Sequence, residues 1–391
     1  MKYSGIGGQA VLEGIMMKNK DRYAVGVRKP DGGIAVETKS YVSFTERHKW
    51  AALPFIRGVF AFADSMILGM RALTISASYF ADEEEGGEEP PSKLEQWLDK
   101  TFGDKVEKVL MGLSMAVAFV LAILIFMWFP LFCADLLRRV LPNETIIAIL
   151  EGVLRIVIFI LYIKLISRTE DIRRTFMYHG AEHKCINCVE HGLPLNVDNV
   201  YVSSKQHKRC GTSFIFIVMI ISILFFMVVR TDTVWLRFVL RIVLIPVIAG
   251  VSYEFLSLAG RSDNLVVNAL SKPGMWMQNL TTKEPDKSMI EVAIAAVESV
   301  FDWKTYEAEN FPDGPDKLGR TLLKKADEMR EEEARENEKE SARESARESA
   351  KENLKDDAKE SEKQNAKENE KESMKKSEKE SAKENEKVNA V

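Results

Sequence analysis

From Gly112 to Phe132 the chain runs without a formal charge, long enough at 1.5 Å per helical residue to cross roughly 30 Å of hydrocarbon. In lipid a backbone has to satisfy its own polar groups, so this run is expected to be a transmembrane helix. Three more apolar stretches follow. They are Thr145–Ile166, interrupted by Glu151 and Arg155; Ser213–Val229; and Val234–Ala259, which carries Arg237, Arg241 and Glu254. Only Arg230–Thr233 separates the last two, so they are expected to form an antiparallel hairpin. The expected fold class is mainly α: a polytopic membrane protein with about four transmembrane helices, in a membrane domain over residues 112–301.

A charge near the centre of a span costs about 2.5–3.5 kcal/mol on insertion scales. Glu151 and Arg155 enter the second span at much the same depth as Arg237 and Arg241 in the fourth, so an ion-pair network joining the two is expected to offset that cost. Basic residues set the orientation. The connection between the second and third spans, residues 167–212, carries Arg168, Arg173, Arg174, Lys184, Lys205, Lys208 and Arg209, against Arg138 and Arg139 after the first. It is expected to be a cytosolic loop in a multi-pass protein of the cell membrane. Four spans then place both termini in the cytosol, and the start of the chain lacks the apolar core of a signal peptide.

That connection concentrates the soft ligands of the chain, with His179, His183, His191 and His207 beside Cys185, Cys188 and Cys210. His179-Gly-Ala-Glu182-His183 has the H-x-x-E-H form, which puts two histidines on one helical face with a carboxylate beside them. His207-Lys-Arg-Cys210 brings further donors from a second segment. Imidazole and thiolate suit a divalent metal, zinc first. The expected metal ligands are His179, His183, His207 and Cys210; Glu182, Cys210 and Glu254 are the expected catalytic groups. Glu254 enters because it lies near the cytosolic end of its span, level with the cluster. Gly180 is expected to weaken the helix. Cys185-x-x-Cys188 reads equally as a zinc or redox pair or as two buried structural thiols, and His191 as an ordinary loop residue.

Residues 1–50 are expected to form a separate β-hairpin unit, with Tyr23–Lys29 and Gly33–Lys39 flanking Pro30-Asp31-Gly32. The glycine-rich Gly7–Gly14 segment before it is expected to serve backbone geometry alone. Over residues 54–110 amphipathic helices are expected around an acidic linker, Asp82–Glu89, and a capping box at Ser92–Glu95 leading a helix with Leu94, Trp97, Leu98 and Phe102. Arg57, Asp64 and Arg71, spaced by seven, mark residues 54–80 as an interfacial or protein-buried helix rather than a fifth free span. After the spans, Pro273–Pro285 is expected to be irregular and Asp286–Phe301 helical.

The last part, 314–391, is a low-complexity charged tail in which Ser341-Ala-Arg-Glu recurs every four residues, either disordered or a lone charged helix. Its basic and acidic residues alternate, which argues against nucleic acid as a partner. Membrane lipid is the expected partner of the spans, and other proteins are candidates for the tail.

Gly7-Gly-Gln-Ala-Val-Leu-Glu-Gly14, Tyr178-His-Gly-Ala-Glu-His-Lys184, His207-Lys-Arg-Cys-Gly-Thr-Ser213, Pro246–Glu254 and Leu280-Thr-Thr-Lys-Glu-Pro285, in this order, resemble the signatures of the YqhQ-like family. The likeness runs from the N-terminus to about Phe301. It implies a bacterial multi-pass membrane protein of unknown function, described as a predicted metal-dependent enzyme, with a site at His179, Glu182, His183, His207 and Cys210. Cys185, Cys188 and the tail fall outside the motifs.

Three functional expectations follow. The first is a membrane-embedded, hydrolase-like metalloenzyme acting on an unknown substrate, in which Glu182 activates water. The second is a membrane biogenesis or scaffold protein whose four ligands close a structural metal site. The third is a transporter using the intramembrane charges, which calls for a repeat symmetry the sequence does not show.

Overall fold

A computed structural model describes residues 2–80, 106–229, 231, 233–261 and 264–340, with scattered positions of the tail. The acidic linker, the Ser92 capping box and its helix, and the serine repeats lie outside the described residues. Met1–Ala326 form one compact unit and Asp327–Val391 a second.

The chain opens with an antiparallel meander of β1 Ile6–Val11, β2 Gly14–Asn19, β3 Arg22–Arg28 and β4 Ile34–Ser40, in sheet order. The expected hairpin is β3–β4, with Arg28 opposite Ile34 and Gly32 supplying the positive φ of the turn at 82°. Next come α1 Phe44–Arg47 and α2 Ile56–Ser78. The first expected span is α3 Val106–Ile123, a π-helical turn at Leu124–Trp128 and α4 Phe129–Leu137. The π turn precedes Pro130, whose missing N–H breaks the regular ladder there. Then follow α5 Glu144–Ile166, α6 Glu170–Glu190, α7 Val197–Val202, α8 Gly211–Val228, α9 Val234–Arg261, α10 Leu265–Thr281, α11 Lys287–Glu298 and α12 Trp303–Asn310.

Among the described residues, five helices are long and apolar enough to cross a membrane: the four expected and α2. Their outward side chains, such as Phe119, Leu161 and Val243, are exposed, which suits hydrocarbon and not water. The charge network forms as expected between α5 and α9. Arg241 donates to both oxygens of Glu151 at 2.5 and 2.6 Å, and Arg155 adds a bond at 2.9 Å. Arg237 departs from it, donating instead to the Thr231 carbonyl at 2.8 Å.

Three expectations need correction. The β-strands are not a separate unit. Ile6, Ile15 and Met17 share a core with Tyr178, Ala181 and Cys185 of α6 and with Met289, Ile290 and Ala293 of α11, while Met16, Val25 and Val27 pack on Leu68 and Ala72 of α2. Both faces of the sheet are thus covered, and strands this apolar could not stand alone. The Pro273 segment is not irregular but lies inside α10, because Gly274, Met277, Gln278 and Thr281 are buried against the rest of the molecule and hold the helix past the proline. The ligand-bearing loop is chiefly α6, and all its residues from Gly180 to Glu190 are buried.

On α2 the polar stripe faces protein as the sevenfold spacing implied. Arg57 pairs with Glu254, Asp64 accepts from the Tyr41 hydroxyl at 2.7 Å, and Arg71 lies over the Tyr41 ring. Its start meets α8 and α9 at Phe214, Gly250 and Tyr253, and its second half lies on the sheet. Phe62, Met66, Ile67, Met70 and Leu73 remain exposed along its outer side.

Candidate functional site

The site grows from α6. His179 and His183, four residues apart, bring their rings to 4.5 Å between centroids. Far from weakening the helix, Gly180 makes its packing attainable: a Cβ there would lie 2.0 Å from the Lys283 carbonyl oxygen, so only glycine lets α6 approach the segment after α10. Lys283 N–H closes that contact on the Phe176 carbonyl at 2.8 Å.

The same approach orients His179, whose Nδ1 lies 2.9 Å from the Thr281 carbonyl oxygen. His183 Nδ1 lies 2.7 Å from the Lys205 carbonyl oxygen. A carbonyl only accepts, so both Nδ1 atoms carry hydrogen, and each Nε2 is left to face the site. Cys210 completes the group as N-cap of α8, accepting from Thr212 N–H at 3.4 Å, with His179 Nε2 at 3.2 Å from its sulfur. Ligand atoms of His179, His183 and Cys210 lie within 4.8 Å of one another.

Charge is strongly coupled here. Burial opposes ionisation of Cys210, but the charges of His179 and His183 and their hydrogen bonds outweigh it and hold the thiol well below its usual range. Burial likewise disfavours the His179 cation, yet the Cys210 thiolate pushes its pKa up to about 9. Arg209, the residue before Cys210, is spent on Glu190 and on the Tyr3 ring. Glu182 is buried beside the histidines and accepts from Gly8 N–H of β1; burial pushes its carboxyl above the usual range. A Cβ at Gly8 would lie 2.9 Å from the Glu182 carboxyl carbon, so the glycine-rich strand lets the sheet reach the site.

Two expected site residues are placed elsewhere. His207 is close, with its ring 5.9 Å from that of His183, but its Nε2 faces Glu190 at 3.3 Å and its backbone is clamped by Gln278, so it stands outside the three-ligand group. Glu254 is drawn to α2, where it accepts from Phe55 N–H at 3.0 Å and Arg57 Nε at 2.8 Å. Its height along α9 was readable from the sequence, but the side of the helix it occupies was not. Cys185 and Cys188 are buried in the core, where burial pushes both thiols up, and they stand outside the His179–His183–Cys210 group. His191 ends α6 and bonds Asp316 at 2.7 Å.

Sequence reasoning missed Gly8, Gln278 and Glu190. Glu190 is fully buried and gathers Ser4, His207 and Arg209 on one carboxylate. Its position seven residues after His183, on the same helical face, was the signal available.

Residues 53–303 match the family described as "Protein of unknown function (DUF1385)". The chain belongs to this family. It is similar to "Uncharacterized protein YqhQ" of Bacillus subtilis (strain 168), at 35% identity over 314 residues, covering 78% of this chain and 94% of that protein. No solved structure matches it. The family match starts after β4, so Gly8 and the rest of the sheet lie ahead of it.

Proposed function

We propose that this chain is a membrane-embedded, hydrolase-like metalloenzyme that holds one divalent ion, zinc by preference, on His179, His183 and Cys210. The observation that carries the reading is the pair of Nδ1–carbonyl bonds, at 2.9 and 2.7 Å, which turn two Nε2 atoms toward one sulfur. Carbonyl partners behind ligating histidines are the usual way such rings are oriented. The donor set fits: two imidazoles and a thiolate suit zinc, and three protein ligands leave a position free. A bound ion would supply Lewis-acid activation of water or of a substrate oxygen. Glu182, buried at the cluster, is the proton acceptor, and Gly8 N–H keeps its carboxylate directed. With His207 bonded to Glu190, the closed four-ligand site of a scaffold is disfavoured.

The site also belongs to a definite side of the membrane. The start of α2 meets Phe214 near the cluster end of α8 and Gly250 and Tyr253 in the second half of α9, and its later turns lie on the sheet; on this reading α2 enters the membrane only from the cluster side, with its exposed apolar row in lipid, and four helices cross. Both termini and the cluster then share the cytosolic side that the basic residues favour.

The 3.2 Å contact between His179 Nε2 and Cys210 favours a second reading, a cysteine nucleophile activated by histidine. Metal analysis of untagged protein separates the two. The metalloenzyme carries about one ion per chain, loses it in His183→Ala, and keeps it in Glu182→Gln while failing to complement a strain lacking the gene. Metal-free wild-type protein with a rapidly alkylated Cys210 overturns the metal site in favour of the nucleophile. Full complementation by Glu182→Gln rejects the hydrolase.

A further inference from the structure

A second polar centre lies at the opposite end of the bundle. There the starts of α5 and α9 meet the end of α8 around a cavity of about 30 Å³, lined among others by Arg138, Glu144, Glu151, Phe226, Arg237 and Arg241. That volume holds more than one water-sized group.

The charges around it do not balance among the described residues. Arg155 and Arg241 share Glu151, Arg138 has Glu144 at 3.0 Å and Asp135 at 3.3 Å, and Arg237 reaches the same Asp135 at 3.6 Å. Four guanidinium groups thus face three carboxylates. The hydrogen bonds are incomplete in the same place. Arg237 Nη1 and Arg241 Nε are buried without a hydrogen-bond partner, on side chains that are only 9% and 5% exposed. An orphaned buried donor costs about 1–3 kcal/mol, and more when charged. An ion-pair clamp between α5 and α9 needs Glu151, Arg155 and Arg241; it explains neither Arg237 nor the open space beside it.

We propose that this cavity binds a phosphate group, with oxygens accepting from Arg237 and Arg241. A guanidinium fork matches phosphate oxygens, and the first two turns of α5, which supply Glu144 and Ala148 to the lining, add a favourable dipole for an anion. Trp235 and Leu236 are exposed close by, an apolar rim suited to acyl chains and to a Trp at the membrane interface. The phosphate can come from an acidic phospholipid or from solution.

The test uses the full chain in nanodiscs of a phosphate-free digalactosyl lipid, of that lipid with phosphatidylglycerol, and of that lipid with added inorganic phosphate. Thermal unfolding and native mass spectrometry are the readouts. Protection and a retained lipid in the phosphatidylglycerol discs alone identify a headgroup site; equal protection by inorganic phosphate identifies a free-anion site. Arg237→Gln should weaken either effect about tenfold, whereas Arg139→Gln, at an exposed neighbour, should not. If Arg237→Gln does not fold, the wild-type discs decide alone. No protection in either phosphate arm overturns the proposal, as does full protection of a folded Arg237→Gln protein.

Discussion

Replacing Glu190 by Gln tests how the cluster is braced. This carboxylate accepts from Ser4 N–H at 2.9 Å, Ser4 Oγ at 2.8 Å, His207 Nε2 at 3.3 Å and Arg209, with no exposure to solvent. Burial alone would raise its pKa; the His207 hydrogen bond and the Arg209 charge outweigh that and bring it from 4.5 down to about 2. At 1.36 kcal/mol per pKa unit this corresponds to about 3 kcal/mol of stability. Removing one partner of a buried ion pair costs about 3–5 kcal/mol in general, the same order. The folded-state pKa is depressed, so this stability is fully present above pH 4.5 and is lost as pH falls toward 2. Thermal unfolding of the detergent-solubilised chain, followed across that window, should show the wild type losing several degrees that Glu190→Gln has already lost at neutral pH. The two proteins should converge near pH 2. Wild-type stability of Glu190→Gln at pH 7, or a gap between them that persists in acid, would refute the reasoning.

Gly180→Ala should force α6 away from Lys283, since the added carbon would lie 2.0 Å from its carbonyl oxygen; a loss of about 1–3 kcal/mol and of bound metal is expected. Gly112→Ala, where nothing lies within 4 Å, is the matched control, and equal behaviour of the two would count against the close approach. For orientation, Cys185 and Cys188 are too deeply buried to report, so introduced thiols at the exposed Val140 and Ser204 serve instead. Val140→Cys should react with an impermeant reagent in intact cells and Ser204→Cys only after lysis; the reverse pattern inverts the orientation.

Much of this protein follows from local sequence. Apolar runs of span length have few folded forms open to them, and the four expected spans are helices. Pro30-Asp31-Gly32 makes its hairpin, and the periodicity after Asp286 makes α11. The pairing of His179 with His183 needs only helical spacing. The Glu151–Arg241 bridge was legible because both charges had to be relieved at the same depth.

What the sequence could not determine is which distant backbone stands behind each side chain. His207 matched the motif but bonds Glu190, and Glu254 had the right height but turns to Arg57. The sheet looked independent until its apolar faces met α2, α6 and α11. Gly180 looked like a helix weakener until the Lys283 carbonyl lay against it. Sequence periodicity sets the face of one element at a time, so α-helical spacing sufficed for the two histidines. Their orientation depends on Thr281 and Lys205, and the cluster closes on Cys210. These residues are brought together by packing between separate helices, which no local pattern encodes, and so the tertiary structure alone decided which donors gather at the cluster.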